Sequence, residues 1–460
     1  MLKLILLRLR GLFIRGRGLN ATRVVALSFA LIILAGALLL TLPIASRDGE
    51  SAGFFTGLFT ATSSTCVTGL ILADTWTQWS LFGQVVILAM IQLGGLGFMT
   101  VLTLISFALH RRIGLSERLV MVSTFNLNDL DGVVRVVRHA LMGTFLLEGL
   151  GAVILSWRMI PEFGLAGGIW RGVFHAVSAF CNAGFDLLGG KFGAFTSLVG
   201  YNDDPVVLLT IAALIAVGGL GFFVWEDLLR ARSPRRLSPY SKLVLAMTAA
   251  LIAGGTLFFL LEEWNNPATL GEMGPGQKAY NALFQSVTLR TAGFDAIGQG
   301  GLSDSSKAFS SIWMLIGGSS GSTAGGLKTA TVAVLLLALR AGLTGKDQVV
   351  FRGRSVPLPR VLSAVNLVLV MGLIFLVCSM VISTLEGLPY MDCAFEVASA
   401  MGTVGLTTGI TPDLSRVSQS LLILLMYTGR VGLLSFSIAL AFRRGRPAKL
   451  RYPEMNVMIG

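Results

Sequence analysis

The sequence predicts an all-α polytopic membrane protein: four tandem units around a central pore, each an outer helix, a re-entrant stretch and an inner helix, eight spanning helices in all. Three observations carry this expectation. Only 13% of the 460 residues are charged while 54% are hydrophobic, and the mean hydropathy is +0.76; a soluble chain would carry about a quarter charged residues. The apolar residues fall in blocks of bilayer-spanning length, such as VVALSFALIILAGALLLTLP at 24–43 and VNLVLVMGLIFLVCSMVIST at 365–384. A short motif also recurs four times, each time between two such blocks.

In chain order, residues 1–22 form a basic cytoplasmic or interfacial N-terminus, with Lys3, Arg8, Arg10, Arg15 and Arg17 interrupting its apolar residues. This pattern fits an interfacial helix or an unstructured basic tail, not a signal peptide. Unit 1 (23–110) holds an outer span at about 24–43, the motif FTATSSTCVTGL at 59–70 and an inner span at about 81–109 containing GGLGF. Unit 2 (136–231) repeats this with a span at 139–160, FHAVSAFCNAGF at 174–185 and a second GGLGF at 218–222 inside 206–229. Unit 3 (239–341) has a span at 243–261, FQSVTLRTAGF at 284–294 and GGSSG at 317–321 inside 309–339. Unit 4 (358–444) has a span at 362–384, FEVASAMGTVGL at 395–406 and GRVGL at 429–433 inside 419–442, and residues 445–460 form a cytoplasmic tail. The third motif is one residue shorter between its Phe and its Gly. One copy alone reads equally well as an outer loop before a helix-packing glycine pair; four copies in register do not.

The formal charge of +12 does not indicate nucleic-acid binding, because most of the basic residues gather in five clusters: Lys3–Arg23, Arg111–Arg138, Arg230–Lys242, Arg340–Arg360 and Arg443–Arg451. Acidic connections alternate with them, at Asp48 and Glu50, Asp203 and Asp204, Glu262 and Glu263, Asp295 and Asp304. Under the positive-inside rule the basic ends are cytoplasmic, so both termini are expected on the cytoplasmic side of the membrane. The basic faces offer surfaces for a soluble regulator; topology and anionic-lipid contact explain them equally well. Cys66, Cys181, Cys378 and Cys393 show no CxxC spacing and the three histidines form no cluster, so neither a disulfide nor a bound metal centre is expected. GSTAGGLKT at 321–329 approaches the phosphate-loop pattern GxxxxGK[ST], but Leu327 stands where the lysine belongs. No nucleophile, base and orienting group assemble from these motifs, and no enzymatic activity is expected.

Backbone that is not helical at membrane depth persists only where protein buries it or water lines it. Four such stretches around an axis offer a ring of carbonyls that can replace a cation's hydration shell. The expected ring comprises Val67, Thr68, Gly69 and Leu70; Asn182, Ala183, Gly184 and Phe185; Thr291, Ala292, Gly293 and Phe294; and Thr403, Val404, Gly405 and Leu406. No acidic ring accompanies the four glycines, so carbonyl coordination is favoured over carboxylate coordination, which points to a large, weakly hydrated monovalent ion, potassium. In unit 3 the inner span is broken by GGSSGSTAGGLKT at 317–329. Gly317, Gly318, Gly321, Gly325 and Gly326 free its backbone, Ser319, Ser320, Ser322 and Thr323 answer backbone groups, and Lys328 adds a charge. This run predicts an intramembrane gate, closed by default and displaced by a cytosolic partner; the alternative is a packing kink, as expected for the two GGLGF motifs.

Arg430 stands in the apolar surroundings of MYTGRVGLLSF, where it either faces a cavity or snorkels to the interface. Arg290 adjoins the third motif and is expected to reach the outer vestibule or a pore-helix end, with Glu148 and Glu396 as candidate partners. His175 and Cys181 are accounted for by packing.

These motifs resemble the Trk/Ktr/HKT superfamily of cation transporters, most closely the KtrB-type pore-forming subunit. TCVTGL, CNAGF, LRTAGF, GTVGL, IGGSSGSTAGGLKT and MYTGRVG carry the resemblance, which runs from about Arg23 to the C-terminal end. It implies a potassium-channel-like fold, K+ in a four-glycine filter, Arg430 projecting into the pore below it, and 317–329 as the gate. It also implies a homodimer seated on a cytosolic nucleotide-binding (KtrA/TrkA-like) ring, so that nucleotide acts only through the partner. Members of the TrkH type carry two further N-terminal spans, for which this sequence has no room. Sodium dependence stays open, and the alternatives are a sodium-permeable or sodium/potassium-symporting member, an inverted-repeat transporter, and a membrane scaffold.

Overall fold

The computed structural model describes residues 21–97, 133–231 and 233–432. The basic N-terminus, the end of the first inner span, most of the Arg111–Arg138 cluster and the Arg443–Arg451 cluster lie outside these residues.

Unit 1 comprises α1 (Ala21–Thr41), α2 (Phe54–Cys66) and α3 (Leu81–Leu96). In unit 2, α4 runs from Val133 to Phe180 but is two helices joined at Gly164, where φ is 73°, just after Pro161. It is followed by α5 (Pro205–Leu220) and α6 (Phe222–Arg230). Unit 3 comprises α7 (Pro239–Glu262), α8 (Pro275–Thr288), α9 (Asp304–Leu315) and α10 (Thr329–Leu343). Unit 4 comprises α11 (Leu358–Glu386), α12 (Tyr390–Gly402) and α13 (Arg416–Val431).

Helix length separates the roles. At 1.5 Å per residue the 24 residues of α7 reach about 36 Å, enough for a bilayer core of about 30 Å. The 13 residues of α2 reach about 20 Å, so α2 enters without crossing. Among the described residues three helices cross by length and composition, or four if the bent pair α5–α6 is one span. The described residues therefore do not by themselves establish the eight spanning helices expected from hydropathy; their inner helices end or bend at glycines. The breaks share a register. Gly97 after α3, Gly221 between α5 and α6, and Gly432 after α13 take φ of 79°, 88° and 90°, and α9 ends where the 317–329 run begins. At Gly221 the chain turns by 92°, far beyond the packing kink expected of GGLGF.

The units close into a ring. Each pore helix packs on its own outer helix, α2 on α1, α8 on α7 and α12 on α11. Each inner helix also packs on the re-entrant part of the next unit, α3 on α4, α5 on α8, α9 on α12, and α13 back on α2. Apolar and polar faces are inverted relative to a soluble protein. Leu27, Leu31, Leu34 and Leu38 form an exposed stripe on α1, whereas Thr60, Ser63, Ser64 and Thr65 on α2 are wholly buried. An apolar outer belt suits lipid, and a hydroxyl-rich interior satisfies backbone at the axis.

Every inner helix starts on a capping side chain, Ser80, Asp204, Ser303 or Ser415, a repeat that the motif search does not detect. Asp204 both caps α5, accepting from the Val206 and Val207 amides at 2.9 and 3.2 Å, and pairs with Arg158. The arginine is 37% exposed, so the cap should dominate the pair. Asp204→Ala is expected to cost about 1–2 kcal/mol and Asp204→Asn to recover most of it, read as thermal midpoints in detergent. Equal losses in the two variants would assign the stability to the ion pair instead. One departure from all-α is a hairpin, Val350–Phe351 paired with Arg354–Ser355, turned by Arg352 and Gly353 at φ 46° and 77°.

Candidate functional site: a ring of glycine turns and its adjoining loop

Each re-entrant helix is followed, within about three residues, by a left-handed residue, Val67, Asn182, Thr291 or Thr403, with φ between 52° and 65°. Two residues on, Gly69, Gly184, Gly293 and Gly405 take φ of 105°, 70°, 82° and 99°. The residue between donates its amide back into the helix: Thr68 to Ser63 O at 2.8 Å, Ala183 to Ser178 O at 2.7 Å, Val404 to Ser399 O at 2.8 Å. In unit 3 Ala292 reaches Thr288 O at 3.0 Å, four residues back rather than five. The missing residue of the third motif is thus absorbed in the helix end, and the glycine keeps its place. Ser63 and Ser399 hydroxyls each accept the amide of their glycine at 3.0 Å.

The turns meet in chain order. A Cβ on Gly69 would lie 2.7 Å from the Ala183 carbonyl oxygen, and one on Gly184 2.8 Å from that of Ala292. On Gly293 and Gly405 it would fall closer still to the carbonyls of Val404 and Thr68. Each glycine therefore faces the carbonyl before the next glycine, and the fourth returns to the first. No side chain fits there, and the positive φ would strain one in any case. The flanking Leu70, Phe185, Phe294 and Leu406 are at most 1% exposed. The buried hydroxyls of Thr68, Thr291 and Thr403 have no hydrogen-bond partner among the described residues.

The 317–329 run is a folded loop, not a slack one. Its ends close by a parallel bridge, Gly317 N to Leu327 O at 2.8 Å and Leu327 N to Leu315 O at 3.0 Å. Gly318 O accepts from Thr329 N at 3.1 Å, and the Ser319 and Thr329 hydroxyls meet at 3.1 Å. Ser319 and Thr323 amides donate to the carbonyls of Gly219 and Gly218 at 2.9 and 3.3 Å, and Phe222 N donates to Gly321 O at 3.0 Å. Thr323 Oγ1 donates to Phe180 O and to Asn182 Oδ1 at 3.2 and 3.1 Å. A Cβ on Gly221 would lie 2.7 Å from Ser320 O, and one on Gly325 would strike the Thr403 side chain. The loop thus joins the break in unit 2 to the second and fourth glycine turns. Ser322 Oγ donates within the loop to Ser319 O at 2.7 Å, and Gly326 turns it at φ 62°. Lys328 Nζ is spent internally, on Ala324 O at 2.8 Å and Gly325 O at 3.5 Å.

The surroundings of the two arginines near the ring are now defined. Arg430 sits in the last turn of α13, one residue before its end. Its guanidinium donates to Thr323 O in the loop and to Gly94 O and Gly95 O at the end of α3. It neither snorkels nor hangs free; carbonyls orphaned where helices break are what a guanidinium can satisfy. Arg290 is 5% exposed and pairs with neither expected carboxylate; its Nε and Nη2 have no partner among the described residues. Glu396 is instead occupied by the Thr407 and Thr411 hydroxyls at 2.6 and 2.5 Å and the Thr408 amide at 2.9 Å. Glu148 is held by Gln92. His175 is fully buried, its Nδ1 2.7 Å from Arg171 O, while Leu187 N donates to its Nε2 at 3.4 Å, a bracing role.

Fold and site together define a multi-pass helical membrane transport protein. The TrkH family profile, described as cation transport protein, matches residues 20–447. The chain is 41% identical over 447 residues to the potassium/sodium uptake protein NtpJ of Enterococcus hirae, covering 96% of this chain and 98% of that one. It is 38% identical over 438 residues to the Ktr system potassium uptake protein B of Bacillus subtilis, covering 95% and 96%. The crystal structure of the potassium transporter TrkH from Vibrio parahaemolyticus superposes with a TM-score of 0.72 at 17% identity, over 93% of this chain and 86% of that one. This chain belongs to the TrkH family of cation transport proteins.

Proposed function

We propose that this chain is the ion-conducting subunit of a bacterial potassium uptake system, passing K+ across the inner membrane through the ring of four glycine turns. The observation that carries the reading is the closed ring of carbonyls, with no carboxylate among residues 67–70, 182–185, 291–294 and 403–406. Carbonyl coordination suits an ion that sheds water cheaply. A buried hydroxyl left unmade costs about 1–3 kcal/mol, so the orphaned Thr68, Thr291 and Thr403 hydroxyls also suit a site that a dehydrated cation visits. Two relatives, named a potassium/sodium uptake protein and a Ktr system potassium uptake protein, support the same ion. The name of the Enterococcus relative also favours a second reading, a sodium-permeable or sodium/potassium-symporting transporter.

The loop at 317–329 is the gate in this reading, and Arg430 is its latch. By donating at once to Thr323 O and Gly94 O, Arg430 ties the loop to unit 1 across the axis. Motion of α6 or α10, which flank the breaks, would pull on the loop through Phe222 N and Thr329 N. A cytosolic nucleotide-binding ring docking on the Arg230–Lys242 and Arg340–Arg360 faces would supply that motion, and the system named for the Bacillus relative supports a further component. A homodimer with both termini cytoplasmic, transporting rather than catalysing, completes the proposal.

The test is growth of an uptake-deficient bacterial strain on limiting potassium, with and without added sodium. Rescue at low potassium is expected. Rescue only with sodium would favour the symport reading, and no rescue by a correctly inserted protein would contradict conduction.

A further inference from the structure

Behind the second glycine turn, three polar side chains from three elements meet in otherwise apolar surroundings. The Gln92 amide of α3 donates to both carboxylate oxygens of Glu148 on α4, at 3.1 and 3.2 Å. The thiol of Cys181, the residue that leads into Asn182, lies 3.7 Å from Gln92 Oε1 and 3.8 Å from Glu148 Oε1. Glu148 is 5% exposed and takes part in no ion pair among the described residues. The two helices packed along this part of α4 hold no ionisable side chain, neither Leu81–Leu96 nor Pro205–Leu220. The third neighbour, α6, carries Glu226, Asp227 and Arg230; Glu226 binds His139 and Arg230 near the start of α4, and Asp227 accepts from Ser238 N. Arg430 meets α3 two and three residues beyond Gln92, through backbone carbonyls. At the corresponding turn positions of the other units stand Cys66, Arg290 and Gly402, none with a carboxyl partner among the described residues. A lone carboxyl inside a membrane protein is rarely kept for packing, which an apolar residue would serve better.

We propose that Glu148 is a proton-binding positioning residue for the second glycine turn, through which pH adjusts the selectivity of the ring. The proposal rests on the reading of that ring as the ion filter. Without the proton, both Glu148 oxygens accept from Gln92, and the Cys181 thiol points its hydrogen at the same pair of residues. Uptake of one proton from water makes one carboxyl oxygen a donor. Its O–H then competes with the thiol for Gln92 Oε1, and the local charge changes by one. Asn182 transmits the change: its Nδ2 donates to Arg290 O at 3.3 Å, and its Oδ1 accepts from Thr323. One side chain thus couples the carboxyl to the third turn and to the loop.

The experiment is rubidium uptake into proteoliposomes, competed by potassium or sodium across a pH series, with wild type, Glu148→Gln, Glu148→Asp and Cys181→Ser. A pH step in the wild-type K+/Na+ ratio is expected, lost in E148Q, displaced in E148D, and offset in C181S at fixed pH. The same step in wild type and E148Q, or no step in a conducting wild type, overturns the proposal. If the wild-type gate stays closed in these vesicles, the same comparison is made in the Arg430→Ala background, which frees the loop but keeps the Thr323–Asn182 bond; a correctly inserted Arg430→Ala protein that conducts nothing would instead overturn the conduction reading. Should E148Q fail to insert, infrared difference spectra of wild type with isotope-labelled glutamate decide: a buried carboxyl band that titrates supports the proposal, and its absence overturns it.

Discussion

Gly405→Ala is expected to insert and fold but to lose most of its preference for potassium over sodium. A left-handed alanine costs about 1–2 kcal/mol by backbone strain alone, and at φ 99° the added methyl would also meet Thr68 O. The carbonyl must move, and a coordinating carbonyl is the atom on which selectivity depends. A loss of about 1.4 kcal/mol in the difference between two ions is already tenfold, so a fall of about tenfold or more in the K+/Na+ ratio is expected. Gly293→Ala should behave alike, because its Cβ meets Val404 O nearly as closely. Gly69→Ser and Gly184→Ser, whose Cβ atoms would lie at 2.7 and 2.8 Å from the neighbouring carbonyl, should lower the ratio less. Competition of rubidium uptake by the two ions measures it. Four variants with unchanged ratios would remove the filter assignment.

Release of the loop should have the second largest effect. Deleting Ser319 to Thr323 removes the bonds to Gly218, Gly219, Phe180 and Asn182, while the closing bridge between Gly317 and Leu327 uses residues outside the deletion. Uptake without a cytosolic partner is expected to rise strongly. Arg430→Ala should move in the same direction by a smaller amount. It removes charge-assisted bonds worth about 1.5–3 kcal/mol each, and about 3 kcal/mol corresponds to a hundredfold shift between closed and open. Lys328→Ala should do less, because Lys328 bonds only within its own loop. The reading of 317–329 as a gate fails if the deleted protein inserts and still conducts only with its partner bound.

How much of this was legible in the sequence differs from element to element. The four motifs were legible because glycine is the residue that a positive φ against a neighbouring carbonyl demands, and the same demand recurs at Gly69, Gly184, Gly293 and Gly405. The loop was legible because a hydrophilic run inside an apolar span has few explanations. The breaks at Gly97, Gly221 and Gly432 were missed: periodicity sees continuous apolar sequence across them and does not report φ. Pairing of charges was the weakest inference. Arg290 was expected to find Glu148 or Glu396, but both carboxyls are satisfied by neutral donors, amide and hydroxyl groups that no charge count reveals. Arg430 likewise bonds to carbonyls freed by helix breaks, partners that exist only once the backbone is known. The caps at Ser80, Asp204, Ser303 and Ser415 were visible in the sequence as a fourfold repeat before each inner span, and a search that included polar positions would find them.

The central claim is that ions pass through the ring of four glycine turns and that the ring prefers potassium. Rubidium uptake into vesicles containing only this purified chain, with the 319–323 loop segment deleted so that no partner is needed, tests it most directly. The account predicts uptake that potassium competes far more strongly than sodium, with the preference abolished by adding Gly405→Ala to the same protein. Uptake that both ions compete equally in the deleted protein, or a preference that survives the Gly405 substitution, would contradict it.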